Sequence, residues 1–118
     1  MGLIAWFKRE RQWRREHFAA FAAAAQKQAD GLTLFQHQAI TAVSRFVPPT
    51  SFRHNAMTDR EEEYLVAPLG SSGAELYLYL NEASILGAKP EKYFEEWDYH
   101  TPADLLRELV EECAARAT

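Results

Sequence analysis

Apolar positions recur along this chain with two rhythms, and the change from one to the other divides it. From Leu3 to about Gln28, Leu3, Trp6, Phe7, Trp13, Phe18, Phe21 and Ala25 fall mostly three, four or seven residues apart. Lys8, Arg9, Glu10, Arg11, Arg14, Arg15 and Glu16 fill the gaps. That spacing predicts an amphipathic helix with a strongly helix-favouring, Ala-rich second half, ended by Asp30-Gly31. Thr33 and Gln36 have the spacing of a capping box, so a second helix is predicted to begin there. Its stripe is Phe35, Ala39, Ile40, Val43, Phe46 and Val47, and Pro48-Pro49 stops it by removing backbone donors. A short turn between the two predicts a helical hairpin over residues 1–47.

The rhythm then shortens to two. Tyr64 to Leu69 and Ala74 to Leu80 flank the turn Gly70-Ser71-Ser72-Gly73, the pattern of a β-hairpin. Side chains alternate across a strand, so Leu76, Leu78 and Leu80 are expected on one face and Tyr77 and Tyr79 on the other. Pro68 cannot donate to a ladder and belongs at an edge or a strand end. Asn81-Glu82 reads as a turn, Ala83 to Leu86 as a short strand and Gly87 to Pro90 as a second turn. In Tyr93 to Tyr99, YFEEWDY, strand alternation puts Tyr93, Glu95, Trp97 and Tyr99 on one face. A core position for Trp97 would carry Glu95 inward, where its carboxylate needs a partner or an opening. Ser51 to Met57 is a candidate strand with poor alternation, and Asp59 to Glu63 a polar turn or the approach to the next strand. Thr101 as N-cap, Pro102 at the first helical position and Asp104 near the positive dipole end start a last helix. Its stripe is Leu105, Leu106, Leu109, Val110 and Cys113.

The expected fold is therefore α+β: an N-terminal helical hairpin and a C-terminal helix (101–116) packed on a small antiparallel sheet of three to four strands within residues 51–99. One domain over residues 1–118 suits the length.

Composition narrows the function classes. A hydrophobic fraction of 47% with 25% charged residues is that of an ordinary globular chain. Cys113 is the single cysteine, which rules out an intrachain disulfide, and a buried structural thiol is the expectation. The N-terminus has its apolar residues before its basic ones, the reverse of a signal peptide, and no run is long enough for a membrane span. A cytoplasmic location is expected. The net charge of −4 conceals a division, since residues 1–60 carry +5 and residues 61–118 carry −9. The basic face of the first helix reads as a solvated surface, with nucleic-acid contact or attachment to an anionic membrane as the sharper alternatives. No nucleic-acid motif accompanies it, and no nucleic-acid partner is expected.

Catalytic patterns are missing from the sequence. His17, His37, His54 and His100 are scattered with no metal-ligand spacing, so neither a metal nor another cofactor is expected. Gly70-Ser71-Ser72-Gly73 is one residue short of a nucleophile elbow. Adjacent carboxylates, such as Glu95 and Glu96, point to opposite faces of a strand and make no acid/base dyad. What remains is a candidate partner surface of aromatic and acidic residues: Tyr77, Tyr79, Glu82, Glu95, Glu96, Trp97 and Asp98, with Tyr99 beside them. The alternative is that the chain's own loop, Pro48 to Arg60, covers the Tyr face.

The run ELYLYLNEAS followed by FEEWDYHTPADLLRELV, in a small acidic α+β chain, resembles the small immunity proteins that bacteria encode beside polymorphic or contact-delivered toxins. The resemblance covers about the second half of the chain and rests on layout. It implies a non-enzymatic role, binding one cognate toxin domain and blocking a basic cleft with an acidic patch. The alternative expectation is a structural or homo-oligomeric protein, such as a homodimer, that self-associates through the Tyr face or the Trp6 and Trp13 side of the first helix.

Overall fold

A computed structural model describes residues 2–57 and 62–117. Three helices, α1 (Leu3–Ala24), α2 (Leu34–Val43) and α3 (Pro102–Arg116), accompany a sheet of β1 (Arg53–Met57), β2 (Glu62–Leu69), β3 (Ala74–Leu78), β4 (Ala83–Leu86) and β5 (Lys92–Phe94). The strands pair in chain order, every neighbour antiparallel. The α+β class is as expected, but the sheet has five strands instead of three to four. The additional strand is the poorly alternating 53–57 segment, whose Arg53 and Asn55 pair with Val66 and Tyr64. The side chains of Arg53, His54 and Asn55 are exposed, so backbone pairing holds this part of the strand and its hydrophobic pattern is accordingly weak. The expected turn at residues 59–63 lies outside the described residues as far as position 61, and Glu62 and Glu63 already belong to β2.

Gly70 and Gly73 take positive φ, as the tight turn between β2 and β3 requires. Leu65, Ala67 and Leu69 of β2 face Leu78, Leu76 and Ala74 of β3. All six join Ile85, Phe94 and residues of every helix in one core cluster. Pro68 lies beyond the last residue that β1 covers.

The helices attach to that apolar side through specific polar contacts. Thr33 and Gln36 form the anticipated capping box: Thr33 Oγ1 accepts from the Gln36 amide at 3.1 Å, and Gln36 Oε1 accepts from the Thr33 amide at 2.9 Å. The same side chains reach the sheet, Thr33 Oγ1 donating to the Leu80 carbonyl (2.6 Å) and Gln36 Nε2 to that of Leu78 (3.3 Å). One local signal thus both starts α2 and fixes it over the end of β3. Thr101 and Asp104 form the second capping box, with Pro102 in the first turn of α3. Lys92 of β5 then meets two acids of α3, bonding Glu108 and standing 3.6 Å from Glu112.

The first helix ends earlier than its composition suggests. Its last residue is Ala24, because Gln26 and Gln28 give their backbone groups to Leu34 and Leu32 in a small reversal instead. Gly31, at φ +84°, closes that reversal and not the helix. At 1.5 Å per residue α1 is about 33 Å long. Among the described side chains, its second half supplies the core residues Phe21 and Ala24, while Leu3, Ile4 and Trp6 are exposed.

Candidate functional site

The opposite parity of the strands creates an outer face. Tyr64 and Val66 of β2, Glu75 and Tyr77 of β3, and Ser84 of β4 share it, and Tyr79 continues it past the end of β3. Tyr64, Tyr77 and Tyr79 pack together, with ring centroids 5.6 Å (64 to 77), 6.1 Å (64 to 79) and 6.4 Å (77 to 79) apart. Beneath them Val66 is only 2% exposed, yet it stands outside the helix-side core. The tyrosines themselves therefore shield this face, and each remains half-buried. Within the segment that the alternative reading laid over this face, Pro48 to Arg60, residues 53–57 form β1 alongside β2.

Hydrogen bonds orient the phenols. Tyr79 Oη and Ser84 Oγ share a bond of 2.9 Å, and Tyr77 Oη lies 3.5 Å from Glu75 Oε1. Partial burial, then the nearby Glu75 charge, raises the Tyr77 phenol above its ordinary pKa. Arg53 stands 3.6 Å from the other Glu75 oxygen, so the tyrosines have a cation and an anion at one border.

The expected site does not assemble as one surface. Strand β5 stops at Phe94, and Glu96–Asp98 forms a 3-10 turn, which breaks the alternation expected through residue 99. Trp97 is consequently not a core residue but is 64% exposed, and Glu95 beside it is exposed instead of carried inward. The Trp97 indole turns to the helix side, stacking on His17 at 5.9 Å and meeting Phe18 edge-on at 5.7 Å. Glu82 and Glu96 bind the chain to itself: the Glu96 amide donates to Glu82 Oε2 (3.1 Å), and Asn81 Nδ2 donates to Glu96 Oε2 (3.0 Å). Asp98 is exposed. Tyr77 and Tyr79 therefore belong to the outer sheet face, Trp97 to the flank of α1, and Glu82 and Glu96 to the contact between the β3–β4 turn and the 3-10 turn.

Two groupings escaped the linear reading. His17 is 1% exposed, held between Trp13 (5.0 Å, stacked) and Trp97, with Phe21 at 4.7 Å. Among the described residues neither of its ring nitrogens finds a hydrogen-bond partner. Trp13, Arg14, His17, Phe18 and Trp97 line a half-open hollow of about 360 Å³. The sequence signal was the continuation of the Leu3, Trp6, Trp13 stripe through His17 to Phe21, which places an imidazole among aromatic positions. The second grouping is Lys92, Tyr99, Glu108, Glu112 and Arg116. Bonds to Lys92 and Tyr99 hold the Glu108 carboxyl below the usual range, and Arg116 chiefly does the same for Glu112. Burial, then the bond to Glu108, drives the Tyr99 phenol well up.

Among the described residues no group of three His, Cys, Asp or Glu could hold a metal ion. Burial pushes the Cys113 thiol up to about 12, which keeps it protonated and unreactive. His37 and Asp30 approach to 2.9 Å on the surface, tying α2 to the loop before it. No helix of the described residues is long and apolar enough to cross a membrane. Searches of protein-family models, curated proteins and solved structures find no match for this chain.

Proposed function

We propose that this chain is a non-enzymatic protein-binding module of the immunity-protein kind, which neutralises a bacterial toxin by docking on a basic toxin domain in the cytoplasm. The observation that carries the reading is the outer sheet face, where Tyr64, Tyr77 and Tyr79 form a packed, half-exposed aromatic platform. A rigid aromatic platform already ordered by its neighbours loses little entropy on binding, and tyrosine is over-represented where interfaces concentrate their energy. The charge of −9 over residues 61–118 supplies long-range attraction for a basic partner. Glu75 borders the platform, and Glu82 follows at the β3–β4 turn.

The test is isothermal titration against the C-terminal domain of the protein encoded in the neighbouring reading frame. Saturable binding is expected, with Tyr77→Ser weakening it by about tenfold or more, the loss of one interface anchor. Absence of binding, or binding indifferent to Tyr77→Ser, refutes the reading.

A further inference from the structure

The flank of α1 carries a second surface with a different kind of occupant. Of the eight large hydrophobic side chains exposed among the described residues, Leu3, Ile4, Trp6, Trp13 and Phe18 belong to α1, and a sixth, Trp97, stacks on it. Scattered exposed apolar residues are normal, whereas this concentration on one flank is the signature of an interface. Charge is concentrated there as well. Residues 3–24 carry five Lys and Arg against two Glu, a net of +3, while Glu95, Glu96 and Asp98 place −3 around Trp97. Of the charged residues Arg14, which also pairs with Glu10 at 3.0 Å, lines the hollow, and Glu95, Glu96 and Asp98 adjoin another lining residue, Trp97, along the chain.

A surface whose halves are of opposite sign around an apolar centre is complementary to itself. In a two-fold contact residue i meets residue j and j meets i, so the basic half of each copy faces the acidic half of the other. We propose that two copies of this chain pair through this flank, the Arg14 side of the hollow in one copy facing the Trp97 turn of the other. An anionic bilayer or a nucleic acid suits the surface less well. Both would meet the carboxylates of Glu95, Glu96 and Asp98 along with the arginines. At 100° per residue, Leu3, Trp6, Trp13 and Phe18 fall within an arc of about 140° on α1, and Ile4 lies outside it. The pairing leaves the outer sheet face free, and it holds or fails independently of any partner there.

Sedimentation equilibrium over a range of concentrations tests the proposal. The unmodified chain should show a monomer–dimer equilibrium in the micromolar range that weakens as salt rises. Trp97→Ser should weaken it about tenfold or more, as should the single reversals Arg14→Glu and Asp98→Arg. The double reversal Arg14→Glu/Asp98→Arg restores opposite charges across the two-fold axis and should recover most of the loss. Circular dichroism of each variant establishes that it is folded. A chain that stays monomeric at about 100 μM, far above a micromolar dissociation constant, overturns the proposal. So does dimerisation indifferent to all three single substitutions. Monomeric protein that instead binds phosphatidylserine vesicles or duplex DNA would show that the flank serves a phosphate-bearing surface, which also overturns it.

Discussion

His17 offers a prediction whose sign runs against ordinary experience of core substitutions. Its ring is sealed between Trp13 and Trp97 and against Phe21, and both ring nitrogens lack partners among the described residues. A buried polar atom left without a hydrogen bond costs about 1–3 kcal/mol. Phenylalanine keeps a flat ring in the same stack and removes that cost, but its larger ring introduces strain of about 1 kcal/mol against the flanking Trp13, Phe21 and Trp97 rings. His17→Phe should therefore stabilise the chain by about 1 kcal/mol, raising the melting temperature by about 4 °C. His17→Ala, which discards the ring contacts too, should destabilise it by about 2 kcal/mol. Urea unfolding followed by tryptophan fluorescence is the natural assay, since two of the three indoles touch this ring. A His17→Phe variant less stable than the parent by 1 kcal/mol or more, far outside fitting error, would mean that the imidazole nitrogens are engaged in solution and that the reasoning is wrong.

Other perturbations test the framework that presents the two surfaces. Thr33→Ala removes the cap of α2 and its bond to the Leu80 carbonyl, and should cost about 2–3 kcal/mol by denaturant titration. At Gly87, φ is +92° and an added Cβ would lie 2.5 Å from the Gly73 carbonyl oxygen, so Gly87→Ala should cost about 3 kcal/mol in the same assay. The Lys92 cluster gives a pH signature. Glu108 and Glu112 titrate below their usual 4.5 in the folded chain, so their stabilisation is complete above that pH and is lost as pH falls through the lowered folded values. Lys92, raised above 10.5 chiefly by Glu108, contributes fully below that pH and loses its contribution as pH rises through its folded value. Lys92→Met should flatten both limbs of the urea-midpoint profile, and a profile parallel to that of the parent would contradict this assignment.

Much of the scaffold was legible because it is written locally. Thr33 with Gln36, Thr101 with Pro102 and Asp104, and Gly70 to Gly73 each specify a boundary with residues close in sequence, and the structure uses each as expected. The alternation of Leu76 and Leu78 against Tyr77 likewise survives. Illegible features depended on partners distant in the chain. Strand β1 is held by its backbone pairing with β2, so its side chains bear little trace of it. The end of α1 is set by reversal contacts between residues 26–28 and 32–34, which helix propensity does not record. At Glu95 to Tyr99 a period-two pattern was read as a strand although a 3-10 turn interrupts it. That error merged two surfaces into one, since only the turn sends Trp97 towards α1 while Tyr77 and Tyr79 stay on the outer face.

The central claim is that the outer tyrosine face receives the partner, and hydrogen–deuterium exchange on the complex with the neighbouring-frame domain addresses it most directly. Docking at that face slows exchange across residues 62–69 and 74–79 and leaves α1 unchanged at matched dimer content. Protection confined to α1 and residues 95–99, with β2 and β3 exchanging as in the free chain, would contradict it.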